Sequence, residues 1–436
     1  MAAIEQLASE VRPPLARAEA LFEADRCLDC GGPFAPAPCT VACPAGVDVP
    51  AFVTALADDD ADEAARTILR ENLLGGTCAR ACPVEVLCQG ACVLEHVGQP
   101  PIRIGLLQRF ALDNGRHELR EQAPPTGKRV VVIGAGPAGL ACAGDLALRG
   151  HGVEVYDERE EPGGLARYAI APFRLDRDPL PTETELLEKL GVELRLGTRI
   201  GSRGELELVA GDADAIFLAT GMGADAQSGC PGEELDGVWD SLPFVEALKV
   251  GEPPEVGGHV VVIGGGNTAM DVAREALRLG GAEVTVLYRR TRAELPAYDF
   301  EFEDAAREGV RFRWLTAPVR FLGDERVAAI ECLRMQLGEP DASGRRRPEP
   351  VAGSEFALPA DTVIEAIGQR GRPELAEWVA ELELARGDTV VVDAATGRTA
   401  NERVYAGGDL VSGGGTVVEA VRDGKRAAAA IDEALR

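Results

Sequence analysis

Eight of the chain's eleven cysteines crowd into one stretch: Cys27, Cys30, Cys39 and Cys43 follow the pattern C-x2-C-x8-C-x3-C-P, and Cys78, Cys82, Cys88 and Cys92 come soon after. Thiolates bind soft metals, and eight of them suffice for two centres, either structural zinc or iron–sulfur clusters. Two glycine loops stand further on. Gly134-Ala135-Gly136-Pro137-Ala138-Gly139 is a G-x-G-x-x-G run, and Gly264-Gly265-Gly266-Asn267-Thr268-Ala269 is its counterpart. Such loops let a backbone approach a pyrophosphate at a helix N-terminus, so each marks a dinucleotide site.

The elements that must position these groups are legible around them. Arg129–Ile133 and His259–Ile263 are short β-branched runs of buried-strand type, each leading into a glycine loop and then an Ala- and Leu-rich helix pattern. The first unit continues with a strand from Val153 to Tyr156 that ends on Asp157, an acid suited to a ribose hydroxyl. The second continues from Glu283 to Tyr288 but ends on Arg289-Arg290. Two guanidinium groups suit a 2′-phosphate, which points to NADPH rather than NADH. Further strands are expected at Thr389–Val392 and Arg403–Ala406, with a last helix from about Thr416. The cysteine segment reads as helical, with Pro50–Ala57 and Ala61–Asn72 as helices and Asp48 near a cap.

With 436 residues, 46% of them hydrophobic, the chain is long enough for two or three globular domains. A net charge of −27 argues against nucleic acid or an anionic membrane as the main partner. No apolar run reaches the roughly 20 residues a membrane span needs, and a cytoplasmic location is expected. The four histidines, His96, His117, His151 and His259, form no recognisable constellation, and no acid, base or nucleophile is assigned. Cys142 lacks the adjacent second cysteine that a flavin disulfide reductase needs.

Pro162-Gly163-Gly164-Leu165, Ala219-Thr220-Gly221 and Ala406-Gly407-Gly408-Asp409 before Thr416-Val417 resemble the flavin-binding pieces of two-dinucleotide-domain flavoprotein reductases. That resemblance implies FAD in the first unit, and a flavin beside the thiols favours one-electron carriers, which zinc is not. Arg26-Cys27-Leu28-Asp29-Cys30, Cys43-Pro44-Ala45, Cys78-Ala79-Arg80-Ala81-Cys82-Pro83 and Val286–Glu294 are similar to the domain shared by glutamate synthase small subunits and dihydropyrimidine dehydrogenases.

The resemblance implies two 4Fe-4S clusters, the first held by Cys27, Cys30, Cys39 and Cys92. The second would take Cys43, Cys82, Cys88 and, in the Ile104-Gly105-Leu106-Leu107-Gln108 context, Gln108, leaving Cys78 spare. For FAD it implies Gly134, Gly136, Pro137, Ala138, Gly139, Asp157, Gly164, Leu165, Arg174, Gly408, Asp409, Thr416 and Val417. For NADPH it implies Gly264, Gly265, Gly266, Asn267, Thr268, Arg289, Arg290 and Gly368. The loop from Gly31 to Pro38, with three prolines, is longer than the family's usual link.

The expected fold is α/β: a helical domain with two clusters (1–125), an FAD-binding Rossmann-like domain in two parts (126–225 and 369–436), and an NADPH-binding Rossmann-like domain between them (226–368). The implied function is electron input, from NADPH through FAD and the clusters to a partner subunit or ferredoxin, the glutamate synthase large subunit being the first choice. A dihydropyrimidine dehydrogenase subunit, a ferredoxin:NADP oxidoreductase or transhydrogenase subunit, and a redox-sensing scaffold are the alternatives.

Overall fold

A computed structural model describes residues 11–32, 35–175, 179–341 and 344–436. Pro33 and Phe34, within the proline-bearing loop, lie outside the described residues. The chain divides into two compact units. One holds Gly223–Arg370 with a short segment beginning at Ala171; the other holds Val11–Ile170, Arg177–Met222 and Gly371–Arg436.

The second of these units is built on a five-stranded parallel sheet. Its strands are β1 (Arg129–Ile133), β2 (Gly152–Tyr156), β3 (Glu193–Arg195), β4 (Ala215–Leu218) and β14 (Val404–Ala406), in the order β14-β4-β1-β2-β3. The central strands are buried on both faces, as their unbroken β-branched and aromatic character requires. β14 returns to this sheet after a long excursion and pairs with β4, Val404 against Ile216. The segment Thr389–Val392 does not form the expected strand. Only an isolated bridge, Leu384 with Val390, forms there, because Val390 N–H donates to Leu410 and Val391 N–H to Glu383, two different stretches of chain.

The cysteine segment is helical and belongs to the same unit. Asp48 caps the helix Val49–Ala57 by accepting from the amide of Ala51 at 3.2 Å. One contiguous apolar core runs from Phe52, Ile68, Leu74 and Leu107 into Leu140, Leu146 and Phe217, so the cysteine helices and the first sheet share an interior. The closest helix pair in it joins the glycine-loop helix Pro137–Leu148 to the C-terminal helix Val417–Leu435. They meet at Gly424, where a β-carbon would overlap the carbonyl oxygen of Ala138.

The other unit carries a second parallel sheet: β5 (Val238–Asp240), β6 (His259–Gly264), β7 (Glu283–Tyr288), β8 (Arg311–Trp314) and β13 (Thr362–Ala366), in the order β5-β13-β6-β7-β8. An antiparallel sheet of β9 (Thr316–Gly323), β10 (Val327–Pro340), β11 (Arg346–Pro350) and β12 (Phe356–Pro359) is inserted before β13. Among the described residues no helix is long and apolar enough to cross a membrane.

Gly424→Ala should therefore cost about 1–3 kcal/mol, the range for overpacking a tight contact. Chemical denaturation of the purified holoprotein followed by flavin fluorescence would show it; an unchanged midpoint would mean that the helix pair has slack.

Candidate functional site

The two parallel sheets each present a glycine loop at the carboxyl ends of their strands, where open α/β sheets bind ligands. In the first, Gly134 has φ +109°, and a β-carbon there would overlap the carbonyl of Ala219. The loop continues through Gly136, the N-cap of the glycine-loop helix, with Pro137 at its first turn and Ala138 and Gly139 buried behind it. Gly164 lies beside the loop: its β-carbon would stand 2.9 Å from the Cα of Gly136. Side chains at Gly134, Gly139 and Gly164 would thus collide with backbone, whereas Gly136 has no neighbour closer than 4.0 Å to the β-carbon it lacks.

Asp157 grips this loop directly. One carboxylate oxygen accepts from the amide of Ala135 at 2.6 Å and the other from Arg159 at 2.8 Å. From the far end of the chain, Gly408 comes within 2.9 Å of the Ala138 side chain, measured from the β-carbon it lacks. Asp409 follows, and burial pushes its carboxyl up to about 6. Thr416 caps the C-terminal helix in a reciprocal box with Glu419, so the amides at Val417 open that helix just after Asp409. The hydroxyl of Thr220 is buried with no partner. An orphaned donor beside a loop whose Gly134 and Gly139 admit no side chain fits a bound dinucleotide, and it adds Thr220 to the residues that would hold the flavin. Only its place in Ala219-Thr220-Gly221 signals it in sequence.

Arg174 stands apart from this group. It lies in the other unit, where Asp271 holds its guanidinium at 3.0 Å and Glu301 at 2.5 Å. The half-buried Asp271 and the buried Glu301, on neighbouring helices and invisible to a local reading, hold it.

In that unit Gly264, with φ +142°, packs against the carbonyl of Ala366, and Gly265 lies against the ring of Tyr288. Gly266 caps the helix Asn267–Arg278 and faces open space, as does Gly368. The Asn267 side chain accepts from the amide of Tyr298 at 3.0 Å, while Thr268 is exposed. The two strand-end arginines part company. Arg289 is exposed, whereas Arg290 is buried and donates to the Arg346 carbonyl at 2.8 Å and to Asp341 at 2.9 Å. Arg290 holds the inserted sheet, which leaves Arg289 as the guanidinium open to a phosphate.

The cysteines fall into two sets. Cys27, Cys30, Cys39 and Cys92 line one cavity together with apolar side chains such as Val53 and Ile104. Burial, and then the neighbouring thiols, push Cys39 up to about 11 and raise Cys27 as well. Cys43, Cys78, Cys82 and Cys88 make the other set: Cys82 is raised by its hydrogen bond to Cys78 and by burial, and burial takes Cys88 to about 12. Buried thiols that crowd one another resist ionisation until a cation is present, and iron in a cluster supplies it. Burial raises the Cys43 thiol as well, and the backbone amides of Val47, Ala45 and Gly46 beside its sulfur offset only part of that rise. Among the described residues no three His, Cys, Asp or Glu side chains close on one point as the ligands of a single ion do. The chemistry of both donor sets fits clusters.

Gln108 is buried, and its side-chain amide donates to the carbonyl of Gly75 at 2.7 Å. Cys78, one turn before Cys82 on the helix Gly75–Ala81 and its C-cap, is buried beside Cys82 and Cys43. At the start of that helix Glu183, reaching from the helix Leu180–Lys189, accepts from the amides of Gly76 (2.7 Å) and Thr77 (3.0 Å) and from the Thr77 hydroxyl (2.5 Å). Burial nonetheless pushes its carboxyl up to about 7.

Two glycine-loop sheets, with a thiol-lined helical segment built into the core of the first, define a pyridine-nucleotide-dependent flavoprotein oxidoreductase that carries an iron–sulfur segment. Residues 128–424 match the family described as pyridine nucleotide-disulphide oxidoreductase, and residues 4–119 match dihydropyrimidine dehydrogenase domain II, 4Fe-4S cluster. The chain belongs to this family, in the branch that includes the glutamate synthase small chains.

The small chain of the NADPH glutamate synthase of Escherichia coli is 36% identical over 96% of this chain and 92% of its own length. The beta subunit of the NADP(+)-dependent formate dehydrogenase of Moorella thermoacetica is 40% identical over 93% of this chain, which spans 60% of that subunit. Among solved structures, Mycobacterium tuberculosis FprA in complex with NADPH shares the fold, with a TM-score of 0.58 and 22% identity over 70% of this chain and 84% of its own.

If Gln108 completes the second set and Cys78 is spare, Cys78→Ser should retain full iron whereas Cys82→Ser loses one cluster's worth, measured as iron and acid-labile sulfide. Equal loss in both would make Cys78 a ligand and confine Gln108 to its bond with Gly75.

Proposed function

We propose that the chain is the electron-input subunit of a larger enzyme, oxidising NADPH at the second glycine loop and delivering electrons through two 4Fe-4S clusters to a partner subunit. What supports this reading above all is that the eight-thiol segment shares one apolar core with the flavin-type sheet, so carriers held there stay at a fixed place relative to the flavin loop. A bound FAD would supply hydride acceptance and single-electron release, and clusters held by the cysteines would supply one-electron transfer.

The chain's own residues bind and orient. Gly134, Gly136 and Gly139 would let backbone amides receive the pyrophosphate, and the helix that begins at Pro137 would add its N-terminal dipole. Asp157 holds the loop in shape, and Asp409 would accept from the ribityl chain, with the amides after Thr416 directed at the flavin ring. Gly264, Gly265 and Gly266 do the same for the nicotinamide dinucleotide, and Arg289 would bind its 2′-phosphate. Cys27, Cys30, Cys39 and Cys92 would hold one cluster, and Cys43, Cys82, Cys88 and Gln108 the other.

Relatives named as subunits of glutamate synthase and of formate dehydrogenase differ in the enzyme they serve. The glutamate synthase large subunit is the partner proposed first, because the small chain of that enzyme matches this chain over nearly the whole length of both. Affinity purification from the native host identifies it: recovery of a large subunit with another activity would replace this partner without touching the electron-input role.

A charge-assisted hydrogen bond contributes about 1.5–3 kcal/mol, and about 1.4 kcal/mol is tenfold in an equilibrium constant. Arg289→Ala should thus raise the KM for NADPH by about ten- to a hundredfold, leave kcat nearly unchanged and leave NADH kinetics alone, the pattern for binding energy remote from the transferred hydride. Arg290→Ala should instead lower stability, since it removes the buried bonds to Asp341 and to the Arg346 carbonyl. Steady-state kinetics with an artificial acceptor decide this; a wild-type preference for NADH would refute the phosphate assignment.

A further inference from the structure

Lys425 is one of only four lysines in the chain, and no motif contains it. It sits on the C-terminal helix, one residue after Gly424, and its side chain is three-quarters buried. All three of its protons are engaged: with the Ala45 carbonyl at 2.8 Å, the Glu71 carbonyl at 2.5 Å and the Glu71 carboxylate at 3.0 Å. A lysine held by three fixed acceptors has lost the freedom that a surface lysine keeps, so its place is specified by the fold.

The Ala45 carbonyl belongs to the peptide whose other end is the Gly46 amide. Together with the amides of Ala45 and Val47, that amide lies close enough to the Cys43 sulfur to oppose part of the rise that burial gives its thiol. Gly46 has φ +75°, and its N–H also closes the turn onto the Cys43 carbonyl at 2.9 Å. Because a peptide is planar, fixing the carbonyl fixes the direction of the N–H on its far side. Hydrogen bonds to a cluster's sulfurs, and nearby positive charge, raise its reduction potential.

We propose that Lys425 is a positioning residue for the second cluster: from the flavin-side helix its ammonium clamps the Ala45 carbonyl, aiming the Cys43 loop amides at the ligand sulfur and holding that cluster at a potential higher than its thiolates alone would set. This rests on reading Cys43 as a ligand of the second cluster.

The test is an anaerobic redox titration of the full-length holoprotein, followed by electron paramagnetic resonance, in Lys425→Met and in Glu71→Gln. In Lys425→Met, with iron and FAD content unchanged, one cluster signal should become at least about tenfold harder to reduce, a downward shift of about 59 mV for a one-electron couple, while the other stays put. In Glu71→Gln, which keeps the lysine but removes a neighbouring negative charge, the same signal should move upward. Two unmoved signals, or two signals moved equally, would overturn the assignment, the latter because general loosening does not choose between clusters. Iron content of the unaltered protein, about eight per chain for two four-iron clusters, tests the underlying two-cluster reading separately.

Discussion

The C-terminal helix lies against the glycine-loop helix at backbone distance, and this is possible only where Gly424 offers no side chain to the Ala138 carbonyl. Much of the flavin-type unit is arranged around that contact. It draws the chain's last helix over the first loop, and with it Gly408, Asp409 and Thr416, residues some 270 positions away in sequence from the loop they complete. The neighbouring position, Lys425, then faces the cysteine segment rather than solvent. A single close approach therefore draws the last helix over the first glycine loop and brings Lys425 to the Cys43 turn, so the packing tolerances of a dry interior bear on both.

Opposite charges join the cysteine segment to its neighbour at two points. Lys425 meets carbonyl oxygens, and Glu183 meets amides at the start of the helix that carries Cys78 and leads to Cys82. In each case the buried charge is met by backbone groups of complementary polarity, the arrangement that makes burial of an ion tolerable. Both points fall on chain segments bearing thiols of the second set and none of the first. The two thiol sets thus have different settings: the first is walled mainly by apolar side chains, the second is gripped by ionic groups from the flavin side.

Much of this architecture was legible in sequence because it is local. The β-branched runs at Arg129 and His259, the glycine loops after them, and the caps at Asp48 and Thr416 announce themselves within a few residues, and the resemblance of the cysteine motifs supplied the two-cluster expectation. What was hidden depends on partners remote in the chain. Nothing near Arg174 reveals that Asp271 and Glu301 will claim it, and Arg289 and Arg290 look equivalent until Asp341 and the Arg346 carbonyl take one of them. Thr389–Val392 has the composition of a strand, yet its amides go to separate segments. The antiparallel sheet β9–β12 enters between elements of the second glycine-loop unit, and neither glycine motif foretells it.

The interior common to the cysteine helices and the first parallel sheet bears on how the protein is made. Buried among its apolar side chains are Cys78 and Cys92, and residues from Leu15 to Ile431 contribute to that one core. A chain that folds without iron buries thiols such as Cys82 and Cys88 protonated and unligated in the same interior that closes over the first sheet. Filling the cysteine segment and closing the flavin-type sheet therefore draw on one interior, and a disturbance of either is carried into the other.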